Sequence, residues 1–275
     1  MAENPLKKYF RQPKIFIDLP SKGLYCKPGT LLDDAVNMPV YGMTGMDEVI
    51  SKTPDALLTG DATARIIESC VPTVKDAKQL SVLDLEFLMV AIRIATYGNS
   101  IEFRHTCSKC QEINDFEIDL GNIITHYKDA KFNDTVAAKE FTVKLKPLTI
   151  AKSTEFSLAM FKIQRSLFQL TTSENPEDNV AEINKYLDEL AGIQNQILSE
   201  QIEGVEIAEG IVEERAYLDE WLKNVDADIF DKIRKQIELN RKNWDMPDIP
   251  VKCDKCEHDE STRLNMDPSS FFAKA

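Results

Sequence analysis

The chain has 275 residues, of which 43% are hydrophobic and 29% charged, and its formal net charge is −13. That length suits one large domain or two modest ones, and the balance is that of an ordinary soluble globular protein. No apolar run approaches the ~18 residues that span a bilayer, and the acidity argues against a nucleic-acid binder, which needs a basic face to neutralise phosphates.

In chain order, the arm through Pro13 is polar and is expected to be loose. Lys14 to Pro20 is a short apolar run that reads as a strand, followed by the turn signal Ser21-Lys22-Gly23. Val40 to Met43 is a second candidate strand. Thr53-Pro54-Asp55 places a cap before a proline at the first helical position, and Ala62 to Ser69 predicts a helix ending before Pro72. Ser81 to Tyr97 is the clearest helix of the first half. Ser81 and Asp84 resemble a capping box, and Gly98 closes the helix. Because it is apolar on nearly every side, it is expected to be the central buried helix.

Beyond it, Ile101-Glu-Phe103-Arg-His105-Thr alternates as a strand does, and so does Phe116-Glu-Ile118-Asp. Phe141, Val143 and Leu145 predict a half-exposed strand ended by Pro147. From about Thr149 the period becomes helical: Phe156, Met160, Ile163, Leu167 and Leu170 form a seam, which Ile183, Leu187, Leu190 and Ile197 repeat after a polar break. Tyr217, Leu218, Trp221 and Leu222, then Ile229, Ile233 and Ile237, mark further helices, with Asp226 as a cap. A seam of this kind usually packs a core. Its length here exceeds what one small bundle needs, so the second helical hairpin is expected to offer a surface to a partner. Charge substitutions at Leu187 and Leu190 would test this.

Four of the six cysteines form two Cys-x-x-Cys pairs, Cys107-Ser-Lys-Cys110 and Cys253-Asp-Lys-Cys256. Each lies between strand-like runs, the second between Ile249-Pro-Val251-Lys and Thr262-Arg-Leu264. Strand, knuckle, strand, twice over, is the pattern of a zinc ribbon. Two thiolates three positions apart on a tight turn can face one ion, and two such turns complete a tetrahedron of four sulfurs at about 2.3 Å. Lys109 and Lys255, at matching positions, would help balance the anionic centre. A redox dithiol would need a helix behind the pair, and neither pair has one. Disulfides would suit a secreted chain. The opening Met1-Ala-Glu-Asn-Pro-Leu-Lys-Lys lacks an apolar leader core, so a reducing compartment is expected. Cys26 and Cys70 read as ordinary semi-buried thiols.

Catalytic signatures are missing from the sequence. His105, His126 and His258 are the three histidines, and no HExxH, phosphate-cradling glycine loop or GxSxG elbow occurs. His105 and His258 flank the cysteine pairs, but four sulfurs leave neither needed as a ligand. A closed four-sulfur site has no position for an activated water. Glu213-Glu214 reads as a solvated face. No enzyme is expected.

Several strings then point one way together: Pro13-Lys-Ile-Phe-Ile-Asp-Leu-Pro-Ser-Lys-Gly-Leu-Tyr25, Val40-Tyr-Gly-Met-Thr-Gly-Met-Asp-Glu48, Thr53-Pro-Asp-Ala-Leu57 and Ile92-Arg-Ile-Ala-Thr-Tyr-Gly98. This ordered set resembles the baseplate hub subunit and hub-assembly family of T4-like contractile-tailed bacteriophages, most specifically through about Leu120. The resemblance implies a non-enzymatic role in virion assembly. Its partners would be other phage baseplate hub proteins, without nucleic acid or membrane, in the host cytoplasm during assembly and in the tail baseplate.

The expected architecture is α+β, with a small strand-and-helix core, a split four-cysteine zinc ribbon and an inserted helical bundle. Residues 1–148 form an N-terminal α+β domain with the first knuckle, 149–245 the helical insert, and 246–275 a C-terminal segment whose knuckle packs on the N-terminal domain. Structural Zn2+ is expected on Cys107, Cys110, Cys253 and Cys256. A zinc-ribbon nucleic-acid or transcription adaptor is the alternative function, recognisable by a basic face beside the knuckles.

Overall fold

A computed structural model of the chain describes residues 4–32, 34–53, 60–138, 140–172 and 179–272. It is an α+β protein that divides into two compact units, one made of residues 1–130 and 245–275, the other of residues 131–244. No helix among the described residues is long and apolar enough to cross a membrane.

In the first unit, β1 (Pro13–Ile17) pairs antiparallel with β2 (Met38–Tyr41), which leads to α1 (Gly45–Ser51), α2 (Asp61–Cys70) and α3 (Val82–Tyr97). The strand read at Val40 to Met43 begins two residues earlier and stops at Tyr41. The helix start read at Thr53-Pro54-Asp55 falls on 54–59, outside the described residues. The arm before β1 is tied down rather than loose. The Arg11 guanidinium donates to the carbonyls of Gly42 and Ser69, each at 2.6 Å, and so joins the arm to β2 and α2.

Helix α3 is the centre of this unit, as its all-round apolarity requires. Phe87, Leu88, Val90, Ala91 and Ile92 are fully buried. Its N-terminus is capped by Ser81, whose Oγ accepts from the Leu83 amide at 3.1 Å. Asp84 does not complete a capping box. Its buried carboxylate turns instead to Ser21, accepting from the amide at 3.1 Å and from Oγ at 2.6 Å. A true capping box forms at Thr44 and Asp47 of α1. The end of β2 approaches α3 so closely that a Cβ on Gly42 would lie 2.9 Å from the Ala95 carbonyl oxygen. The C-terminal turn α9 (Pro268–Phe271) docks on the same helix: Arg93 donates to the Phe271 carbonyl and Tyr97 to that of Phe272.

Two hairpins complete the unit. β3 (Ser100–Thr106) and β4 (Ile113–Asp119) flank the first cysteine pair and lead into α4 (Leu120–Asp129). β9 (Ile249–Lys252) and β10 (Asp259–Thr262) flank the second. Each hairpin is its own two-stranded sheet.

The second unit is more than a helical bundle. β5 (Thr135–Ala137), β6 (Thr142–Leu145), β7 (Ile202–Ile207) and β8 (Gly210–Val212) form one antiparallel sheet in that order. Between β6 and β7 stands a hairpin of two long helices, α5 (Ile150–Thr171) and α6 (Val180–Glu200). Helices α7 (Arg215–Asn224) and α8 (Ala227–Trp244) cover the sheet, burying Leu218, Leu222 and Ile233 with Val143, Leu145, Leu198, Ile202 and Val205. The boundary expected at 148/149 therefore moves to 130/131. Val143 pairs with Val205, which commits the strand ended by Pro147 to the second unit.

Candidate metal centre

Each cysteine pair sits on a turn closed the same way. The amide of Cys107 donates to the Glu112 carbonyl at 2.9 Å, and that of Cys253 to the His258 carbonyl at 3.0 Å. Gln111 donates back to Cys107 at 3.0 Å and Glu257 to Cys253 at 2.9 Å. Both returning residues are left-handed, with φ of 60° and 55°. The knuckles thus repeat one another position for position.

They are also cross-linked reciprocally. The Asp254 amide, in the second knuckle, donates to Asn114 Oδ1 of β4 at 3.0 Å. The Ser108 amide, in the first, donates to Glu260 Oε1 of β10 at 3.2 Å. Asn114 and Glu260 hold the same place relative to their own cysteines. Each half of the clasp reads the backbone of the other. Lys255 adds a 2.6 Å ion pair to Glu112 across the seam. The positive charge that Lys255 is expected to offer the sulfurs is therefore partly neutralised by a carboxylate of the opposite hairpin.

This pairing brings all four sulfurs together. Cys107, Cys110, Cys253 and Cys256 place their Sγ atoms within 4.8 Å of one another, the metal-competent cluster among the described residues. Sγ of Cys107 lies 3.6 Å from that of Cys256, and Sγ of Cys110 lies 3.5 Å from that of Cys253. These distances far exceed a covalent S–S bond of about 2.05 Å. They are close to the ~3.8 Å edge of a tetrahedron with metal–sulfur bonds of about 2.3 Å.

The sulfurs are not equivalent. The Cys253 thiol is held down at about 6, first by the Cys256 amide aimed at its sulfur and then by that of Lys255. Asn114 Nδ2 lies 3.7 Å from the same sulfur. Cys110 has the Glu112 amide in its favour, yet burial and the three neighbouring thiols push it up to about 12. Metal binding to such a donor set would proceed by displacing thiol protons.

The other candidates lie apart from the cluster. His105 Nε2 is 3.1 Å from Glu260 Oε1, and His258 contributes its backbone carbonyl. His126 Nε2 is 3.1 Å from the Asp245 carbonyl. Cys70 is fully buried, not semi-buried, and its thiol is pushed up to about 12 by that burial. Asn114 and Glu260 escaped the sequence reading. Their signal was equal spacing: each stands seven residues after the first cysteine of its own pair.

Fold and site together define an α+β protein whose first unit is clasped by a closed four-cysteine cluster. The family model described as T4 bacteriophage base plate protein matches residues 12–273. The chain belongs to that family, and with it to the structural proteins of the phage tail baseplate, whose partners are phage proteins. Neither the search of curated proteins nor that of solved structures gives a match.

Proposed function

We propose that the chain is a non-enzymatic structural or assembly protein of the baseplate hub. In this reading it works through protein–protein contacts, and Cys107, Cys110, Cys253 and Cys256 hold a structural Zn2+. The observation that carries the metal is the convergence of four sulfurs, from opposite ends of the chain, to near-tetrahedral spacing. Four thiolate donors suit zinc and leave it no open position, so the ion would supply cross-linking rather than chemistry. The hub reading rests on baseplate family membership and on the ordered strings before the first knuckle. Assembly would take place in the host cytoplasm. On the two hairpins acidic side chains outnumber basic ones, which speaks for protein partners over nucleic acid.

Elemental analysis of protein purified without added metal is expected to find one zinc per chain. Pull-down against the products of a phage tail-gene cluster is expected to recover hub components. Four titratable thiols with no bound metal would overturn the zinc assignment. Recovery of baseplate proteins from outside the hub would overturn the hub assignment and leave the family standing.

A further inference from the structure

Helix α5 packs chiefly against α6, and a two-helix hairpin buries only one stripe of each helix. Along α6 the half-buried apolar side chains are Ile183, Tyr186, Leu190, Ile193 and Ile197, ahead of the buried Leu198 and Ser199 at its end, and along α5 the matching stripe is Phe156, Met160, Ile163, Leu167 and Leu170. Leu187 is therefore outside the seam expected from the sequence, and Tyr186 takes its place. Four large apolar side chains are left over: Phe161 at 56%, Phe168 at 68%, Val180 at 53% and Leu187 at 48% exposure.

Their positions are related. Phe161 and Phe168 each follow a seam residue of α5 by one position, and Leu187 follows Tyr186 of α6, with Val180 one heptad before it. One position is about 100° of helical turn. In antiparallel helices the position after the seam turns toward the same side of the pair. All four side chains thus share one face of the hairpin, with Ser157, Gln164, Asn184 and Ala191 between them.

We infer that this face binds the same face of a second copy of the chain, so that two hairpins form an antiparallel four-helix bundle about a two-fold axis parallel to the helices. Charge at the rim selects this occupant. The face itself is uncharged, because Glu155 and Lys162 of α5 and Glu182, Lys185 and Glu189 of α6 each precede a seam residue and so turn to the opposite side. The two-fold axis lays α5 of one copy on α6 of the other. Phe161 and Phe168 then cover Val180 and Leu187 of the second copy. Arg165 and Asp188 point directly away from their own seams and lie at similar heights along the hairpin, so they meet at the rim of the bundle.

Sedimentation equilibrium of the full-length protein is expected to show a monomer–dimer equilibrium. L187E is expected to weaken it roughly tenfold or more, since it places a charge in the apolar centre. R165D and D188R should each weaken it, and R165D/D188R together should restore it. F168E provides a second break in the apolar face, and far-UV circular dichroism confirms that each variant is folded. A wild-type protein that stays monomeric at every concentration would overturn the inference, even if a phage tail protein binds the hairpin. So would a dimer of unchanged affinity in both L187E and F168E, or a double charge reversal that fails to restore pairing.

Discussion

Asn114 performs three tasks from one buried position: it accepts the Asp254 amide, donates to the Glu112 carbonyl at 3.2 Å, and sets Nδ2 beside the Cys253 sulfur. Removing the side chain takes the acceptor from the Asp254 amide, a part-buried bond, at a cost of about 0.5–1.5 kcal/mol. Groups that orient metal ligands usually alter metal retention about 10- to 100-fold. N114A is therefore expected to lower the stability of the first unit and to speed zinc transfer to a chromogenic chelator by at least about tenfold. E260A, at the mirror position but nearer solvent, should act in the same direction and less strongly. Zinc release at the wild-type rate from both variants would rule out a positioning role. Asp84 poses a different question. Burial raises its pKa from 3.8 to about 6, against the opposing hydrogen bonds of Ser21. Between those two values the folded state holds more protons than the unfolded state, so stability falls as pH rises through the window. The loss reaches about 3 kcal/mol above pH 6, at ~1.4 kcal/mol per unit. D84N keeps an acceptor for the Ser21 amide and removes the titration. Urea unfolding at pH 4.5, 5.5 and 7 should show D84N gaining on the wild type as pH rises. A constant difference between the two proteins would exclude the raised pKa.

At the scale of elements, Gly42 shows how tightly β2 is held to α3. A methyl group there would press on the Ala95 backbone oxygen, and neither a helix backbone nor the end of a paired strand yields cheaply. G42A is expected to destabilise the first unit by about 1–3 kcal/mol, read as a lower denaturant midpoint with an unchanged slope. An unchanged midpoint would mean that the strand end can shift. Helix α3 announces itself because an all-apolar helix has one destination, and each cysteine turn because its flanking runs alternate. The sheet of the second unit was harder to read. β7 is Ile202-Glu-Gly-Val-Glu-Ile, in which both Gly204 and Val205 face inward or along the sheet beside a register shift at β6, so its alternation is broken. The α6 seam was misplaced by one residue because Leu187 and Tyr186 suit the heptad almost equally. Only the geometry of the partner helix decides between them. Asp84 was misread for a related reason: local sequence offers it a cap, and a buried Ser21 sixty-three positions away takes the carboxylate.

At the scale of the molecule, the clasp closes the chain between Cys110 and Cys253, and the whole second unit lies within that loop. Loop-closure entropy grows only as the logarithm of length, so the length of the insert contributes little. With the proposed zinc in place, the larger share would come from metal–ligand binding, of the order of 10–16 kcal/mol in zinc-finger peptides at neutral pH. Part of that is offset here, because the Asn114 and Glu260 bonds already dock the two knuckles without metal. Chelation is therefore expected to loosen residues 249–262 rather than unfold the protein. The thermal midpoint of the first unit should fall and the second hairpin should become a protease target. The core of the second unit, built on Val143, Leu145, Ile202, Val205, Leu218 and Ile233, contains no clasp residue, so its transition should stay in place. Limited proteolysis with mass mapping, on zinc-loaded protein and on protein verified metal-free, separates these outcomes. Equal protection of 249–262 in both states would mean that the hydrogen-bonded knuckles suffice alone. Simultaneous loss of both units would mean that the second depends on the clasp for its own fold.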